Sequence, residues 1–229
     1  MIPLKDNVRS RSFPFFNILL ILGNIAVFSV ELRQPSPQAV ERFFSQWSLL
    51  AAPLVRHPWE NWYRVITSMF LHGGWLHLIG NMLYLWVFGG NVEDRVGHLR
   101  YLVFYLAVGS AAAFFQVGLN PASTVPMIGA SGAIAGIMGA YFVLYPRAKV
   151  LTVVPIFVFL RIVEIPAFFF LGFWFLLQAF QGYGSLLRTA AGAGDVGGVA
   201  WWAHAGGFVA GFVFIFFFRQ SARKKAIFS

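Results

Sequence analysis

The sequence predicts an all-α membrane protein, a bundle of six spanning helices with a folded first loop. Three observations carry that expectation. Hydrophobic residues make up 59% of the 229 residues and charged residues only 11%, against about 25% charged in an ordinary soluble domain. The 27 Phe and 8 Trp are more apolar surface than a soluble globule of this size hides. Apolar stretches near the ~20 residues needed to cross a bilayer recur along the chain.

Taken in order, the predicted spans are residues 14–32, 67–90, 99–119, 129–145, 165–182 and 199–218 of a single domain, 1–229. The first run is long, ends in Glu31 and Arg33, and lacks a small-x-small cleavage pattern, so it reads as an anchor rather than a removable leader. The loop of residues 33–64 carries Phe43, Phe44, Trp47, Trp59 and Trp62. It is too aromatic for disorder and suits the membrane interface. Residues 150–160 are apolar but short and contain Pro155; they are expected to pack against the bundle without crossing. No repeat of 20–50 residues is visible, which leaves solenoids and tandem inverted repeats without support.

Charge placement orients the bundle. Lys5, Arg9, Arg11, Arg95, Arg100, Arg147, Lys149, Arg161, Arg219, Arg223, Lys224 and Lys225 fall on one side, 12 of the 17 Lys and Arg. Arg33, Arg42, Arg56, Arg64 and Arg188 fall on the other. The positive-inside rule then puts both termini in the cytoplasm, in what is expected to be a bacterial-type plasma membrane. The net charge of +9 is accordingly read as lipid-facing, with no nucleic-acid partner. Cys is absent, which removes disulfides, thiol nucleophiles and Cys–zinc sites.

Polar groups within apolar spans are costly and mark function unless they serve packing. His77 and Asn81, at i and i+4, share one helix face and present two donors that suit an anionic oxygen. They equally suit interhelical hydrogen bonding. Ser131 lies in Gly129-Ala130-Ser131-Gly132, at the start of a span and after a breaker-rich loop. Glycines there admit a close backbone approach, and the helix start offers free N–H groups. Gly132, Gly136 and Gly139 also form a small-residue packing face. His204 precedes Gly207 and Gly211, a G-x-x-x-G face on which a histidine can reach a serine opposite or simply satisfy a neighbouring helix. The second, fourth and sixth spans run parallel, so a hydroxyl, an imidazole and side-chain donors come to similar depth. These are the minimum for acyl transfer. No acidic residue accompanies them, so a Ser–His dyad is expected.

In this order the residues resemble the rhomboid intramembrane serine proteases over nearly the whole chain. The resemblance rests on Tyr63-Arg64 with His72 and His77-x-x-x-Asn81, on Glu93-x-Arg95-x-Gly97, on Gly129-Ala130-Ser131-Gly132, and on Ala203-His204 with Gly207 and Gly211. It implies a rhomboid-like six-helix fold and a serine endopeptidase that cuts single-span membrane proteins near the outer boundary, without cofactor or metal. Ser131 is implied as nucleophile and His204 as general base. Asn81, His77 and the Ser131 N–H are implied as oxyanion donors. His72 is left outside that site, and Glu93 and Arg95 are assigned to anchoring a turn. Residues 33–64 become a membrane-dipping scaffold, and the fifth helix with residues 192–198 a gate and cap. Two departures stand out: Ala135 occupies the place, one turn after the serine, where some members carry an aromatic residue, and Tyr63 replaces a Trp. A catalytically inactive, client-binding relative is the alternative. A channel or transporter lacks a row of charges inside the helices; Arg161 and Glu164 sit at the edge of the fifth span, spaced to allow pairing at i, i+3. A zinc protease lacks His-Glu-x-x-His.

Overall fold

The computed structural model describes residues 1–156, 159–190 and 200–219. The chain opens with strand β1 (Ile2–Asp6) and enters helix α1 (Phe15–Leu32). Residues 33–64 are folded rather than loose. Helix α2 (Pro37–Trp47) starts with Pro37, and the Ser36 hydroxyl accepts the Ala39 N–H at 3.2 Å, which satisfies one of the helix's free donors. Short helices α3 (Ala51–Arg56), α4 (Pro58–Asn61) and α5 (Arg64–Thr67) complete the loop.

After Gly74, at φ +150°, helix α6 (Trp75–Tyr84) runs through a π turn at Leu85–Gly89 into α7 (Gly90–Val96). The predicted span 67–90 is therefore displaced: the long helix starts at Trp75 and ends at Val96. Next come α8 (His98–Leu119) and α9 (Ser131–Leu144). Strands β2 (Lys149–Ile156) and β3 (Phe159–Pro166) follow, then α10 (Ala167–Ala190) and α11 (Trp201–Phe218). Among the described residues, α1, α8 and α11 are long and apolar enough to cross a membrane.

The all-α expectation is corrected. β1, β2 and β3 form an antiparallel three-stranded sheet in that order. Pro155 did not break the segment, because β1 reaches β2 only as far as Val153. Beyond that point β2 has a free side, where a missing N–H costs no ladder bond. The pairing that helical spacing would allow between Arg161 and Glu164 is corrected as well. They lie three apart on a strand, hence on opposite faces, and Glu164 instead takes the Lys149 ammonium at 2.8 Å across β2–β3. The fifth helix begins at Ala167 rather than 165 and continues eight residues beyond the predicted 182.

Helix α9 is the centre of the core, buried from Ala133 through Tyr141. It meets α11 backbone to backbone. A Cβ on Gly207 would strike the Gly132 carbonyl, one on Gly211 the Gly136 carbonyl, and one on Gly139 the Phe208 carbonyl. Glycine is what allows this approach.

At the far end of the bundle, the fully buried Glu93 carboxylate accepts the N–H groups of Phe16 (3.0 Å) and Asn17 (2.8 Å) and contacts His98 Nδ1 at 2.6 Å. It thus caps the N-terminus of α1, where backbone donors lack intrahelical partners. Asn17 in turn donates to the Leu85 carbonyl of the π turn and accepts from the Tyr101 hydroxyl.

Candidate active site

The seam of α9 and α11 places two side chains face to face. Ser131 is the first residue of α9, reached through Gly129 at φ +113°. Its Oγ lies 2.7 Å from Nε2 of His204, one turn into α11. The Ala203 N–H donates to Gln116 Oε1 at 3.0 Å, which fixes the start of α11 against α8.

The other ring nitrogen of His204, Nδ1, is 2.7 Å from Gln178 Oε1 on α10. Trp174, one turn earlier on α10, lies against the imidazole with centroids 5.9 Å apart, and Trp201 meets it edge-on at 6.3 Å. These contacts answer the Ala135 departure. Ala135 is fully buried, and the aromatic surfaces at the imidazole come from α10 and α11 instead.

His77 and Asn81 line the same side of α6. The space where a Cβ on Gly129 would sit is 2.7 Å from His77 Nε2 and 3.5 Å from Asn81 Nδ2. Both donors therefore face the backbone two residues before the serine. His77 Nδ1 accepts the Gly73 N–H at 3.3 Å, which leaves its proton on Nε2, toward Gly129.

His72, set aside on sequence, is buried and integral. Its Nδ1 donates to the Phe70 carbonyl at 3.2 Å, so its Nε2 accepts from Asn81 Nδ2 at 3.0 Å. One of the two amide protons of Asn81 is thereby engaged, and the other stays available. The His72 N–H is itself held by the Glu31 carboxylate at 3.1 Å. His72 carries part of the family resemblance, but its spacing assigns it no role in the site; its contact with Asn81 does. Gln178 did carry a signal, as a hydrogen-bonding side chain inside an apolar segment.

A cavity of about 690 Å³ gathers His77, Asn81, Ser131 and His204, with Leu76 on its α6 side and Ser185 and Leu186 on its α10 side. Residues 192–198, expected as a cap, lie outside the described residues. The arrangement holds a hydroxyl on an imidazole in a cavity also lined by two side chains that carry N–H donors, which are the parts of an acyl-transfer centre.

Comparison with known proteins identifies the family. The Rhomboid domain profile matches residues 59–221, most of the chain, from the first loop to the end of α11. The chain belongs to the rhomboid family. It is a membrane protein, and all four candidate residues fall inside the matched rhomboid segment. The rhomboid protease GluP of Bacillus subtilis (strain 168) is 42% identical over 79 residues, 34% of this chain and 15% of that protein. Rhomboid protein 1, mitochondrial, of Saccharomyces cerevisiae is 31% identical over 114 residues, 48% of this chain and 32% of that protein. Rhomboid-like protein 11, chloroplastic, of Arabidopsis thaliana is 35% identical over 81 residues, 35% of this chain and 29% of that protein. The matched stretches thus span less than a third of each of these relatives.

Proposed function

We propose that this rhomboid is an intramembrane serine endopeptidase that hydrolyses membrane-protein segments with a Ser131–His204 dyad. The observation that carries the reading is the 2.7 Å contact between Ser131 Oγ and His204 Nε2, inside a cavity shared with two further donor side chains.

In this reading the chain crosses the membrane six times with both termini in the cytoplasm. Residues 33–64 ride at the outer interface, where the largely exposed Trp59 and Trp62 are favoured. His204 takes the Ser131 proton as Oγ attacks the scissile carbonyl. The oxyanion gains hydrogen bonds from His77, the free amide proton of Asn81 and the Ser131 N–H, each side-chain donor worth about 3 kcal/mol in the transition state. His204 then protonates the leaving amine, and water releases the acyl-enzyme. A helical substrate keeps its amides bonded internally. Single-span substrates with Gly, Ala, Ser or Pro near the outer boundary unwind there most cheaply, and the cavity between α6 and α10 receives the opened strand.

Incubation of the purified protein with a single-span substrate, followed by mass mapping of the products, tests this. Cleavage near the outer boundary is expected, with Ser131→Ala folded in detergent but slower by at least ~10⁴-fold. A fluorophosphonate should label wild type and not the variant. A variant that cuts like wild type overturns the nucleophile. A wild type that neither cuts nor labels points to an inactive, client-binding member.

A further inference from the structure

A serine hydroxyl gives its proton to a neutral imidazole only if the facing nitrogen is bare. With Nε2 of His204 toward Ser131, the ring proton must reside on Nδ1, and a buried N–H needs an acceptor. Among the described residues, no carboxylate contacts the ring. The acceptor is an amide: Oε1 of Gln178, 2.7 Å from Nδ1, on a side chain only 8% exposed. Trp174, one turn earlier on the same helix, flanks the same ring. Hydroxyl, imidazole and amide thus form an unbroken line across α9, α11 and α10.

We propose that Gln178 is the positioning residue of the base: its carbonyl oxygen holds the His204 proton on Nδ1 and keeps Nε2 aimed at Ser131. The proposal rests on the dyad reading and deepens it. A neutral acceptor orients the ring without supplying a counter-charge for the imidazolium formed during attack. Because α10 also lines the cavity through Ser185 and Leu186, the base is held from the flank of the space that receives substrate. Sideways displacement of α10 would take the acceptor from His204.

The test is Gln178→Met, which keeps the length and loses the acceptor. Its kcat should fall about 10- to 100-fold, the effect of leaving one buried donor unpaired, with KM close to wild type and the loss persisting per folded molecule. Gln178→Glu, which restores an acceptor at the same reach, should recover most of the rate. If the Met variant does not fold, Gln178→Asn withdraws the amide by about 1.5 Å and should lose kcat in the same way. The ¹⁵N spectrum of the histidines gives a readout independent of turnover. The His204 signal, identified by its loss in His204→Gln, should show a protonated Nδ1 and a bare Nε2 in wild type, and a tautomer mixture in Gln178→Met. Unchanged kcat and unchanged tautomer in the Met variant overturn the proposal. So does a wild-type proton on Nε2, which would mean that the amide donates to Nδ1 instead. A wild type that neither cleaves nor reacts with fluorophosphonate sinks the dyad reading, while the tautomer still decides whether Gln178 positions the ring.

Discussion

The bundle is held in opposite ways at its two ends. Where α9 meets α11, side chains have been removed. The Gly132, Gly136 and Phe208 carbonyls occupy the space that a Cβ on Gly207, Gly211 or Gly139 would need. Where α1 meets α7, polar side chains have been buried. Glu93 caps α1, and Asn17 joins Tyr101 to the Leu85 carbonyl. His77 and Glu93 mark these two ends on one continuous helical run, roughly 24 Å apart at 1.5 Å per residue. The first device sets the distance between two backbones and, with it, the spacing of Ser131 and His204. The second device fixes where a helix begins. Contact without side chains leaves no flexible atoms to absorb an error, whereas a hydrogen-bonded junction can lose one bond and keep its shape.

That contrast breaks most directly at the seam. Gly211→Val drives a side chain into the Gly136 carbonyl, which cannot move aside. A loss of more than about 3 kcal/mol is expected, visible as failure to fold or a collapsed melting transition, with cleavage lost alongside. Wild-type stability in this variant would refute the backbone-contact account.

At the polar junction the effect should be smaller and separable from catalysis. Glu93→Gln leaves a single acceptor where the carboxylate now serves three N–H groups. Destabilisation of about 2–3 kcal/mol is expected in detergent unfolding, with the cleavage rate per folded molecule unchanged. A rate that falls with the melting temperature held would show the two ends to be coupled.

The smallest effect is expected at the sheet. Burial raises the Asp6 carboxyl above its ordinary value of 3.8, partly opposed by hydrogen bonds from Tyr141 and Asn91. A folded-state value above the unfolded one means that this group's stabilising contribution is complete below 3.8 and is lost as pH climbs through the raised value. Asp6→Asn keeps an oxygen for Tyr141 and Asn91 and cannot ionise. It should flatten the decline in melting temperature over that window, and an unaltered profile would remove Asp6 from the account.

Much of this was legible in the residues. Apolar length marked where the helices lie, and the order of His77-x-x-x-Asn81, Glu93-x-Arg95-x-Gly97, Gly129-Ala130-Ser131-Gly132 and Ala203-His204 pointed to the rhomboid family. Such features are local, and helices are built from contacts three and four residues apart. The sheet was not legible, because β1 meets β2 across roughly 150 residues, and an apolar run with a proline gives no sign of its partner. His72 was set aside for a similar reason. Its importance depends on where its imidazole meets Asn81, which the loop between α5 and α6 decides.

By itself, then, the sequence determined that this protein lives in a membrane, roughly where its long apolar helices lie, and which hydroxyl and imidazole are candidates for chemistry, because composition and short-range spacing decide those matters. Only the tertiary structure decided what surrounds the imidazole. The register of α10 against α11 selects Gln178 and Trp174 as the neighbours of His204. Register between packed helices is a property of two surfaces at once, and no single stretch of chain contains it.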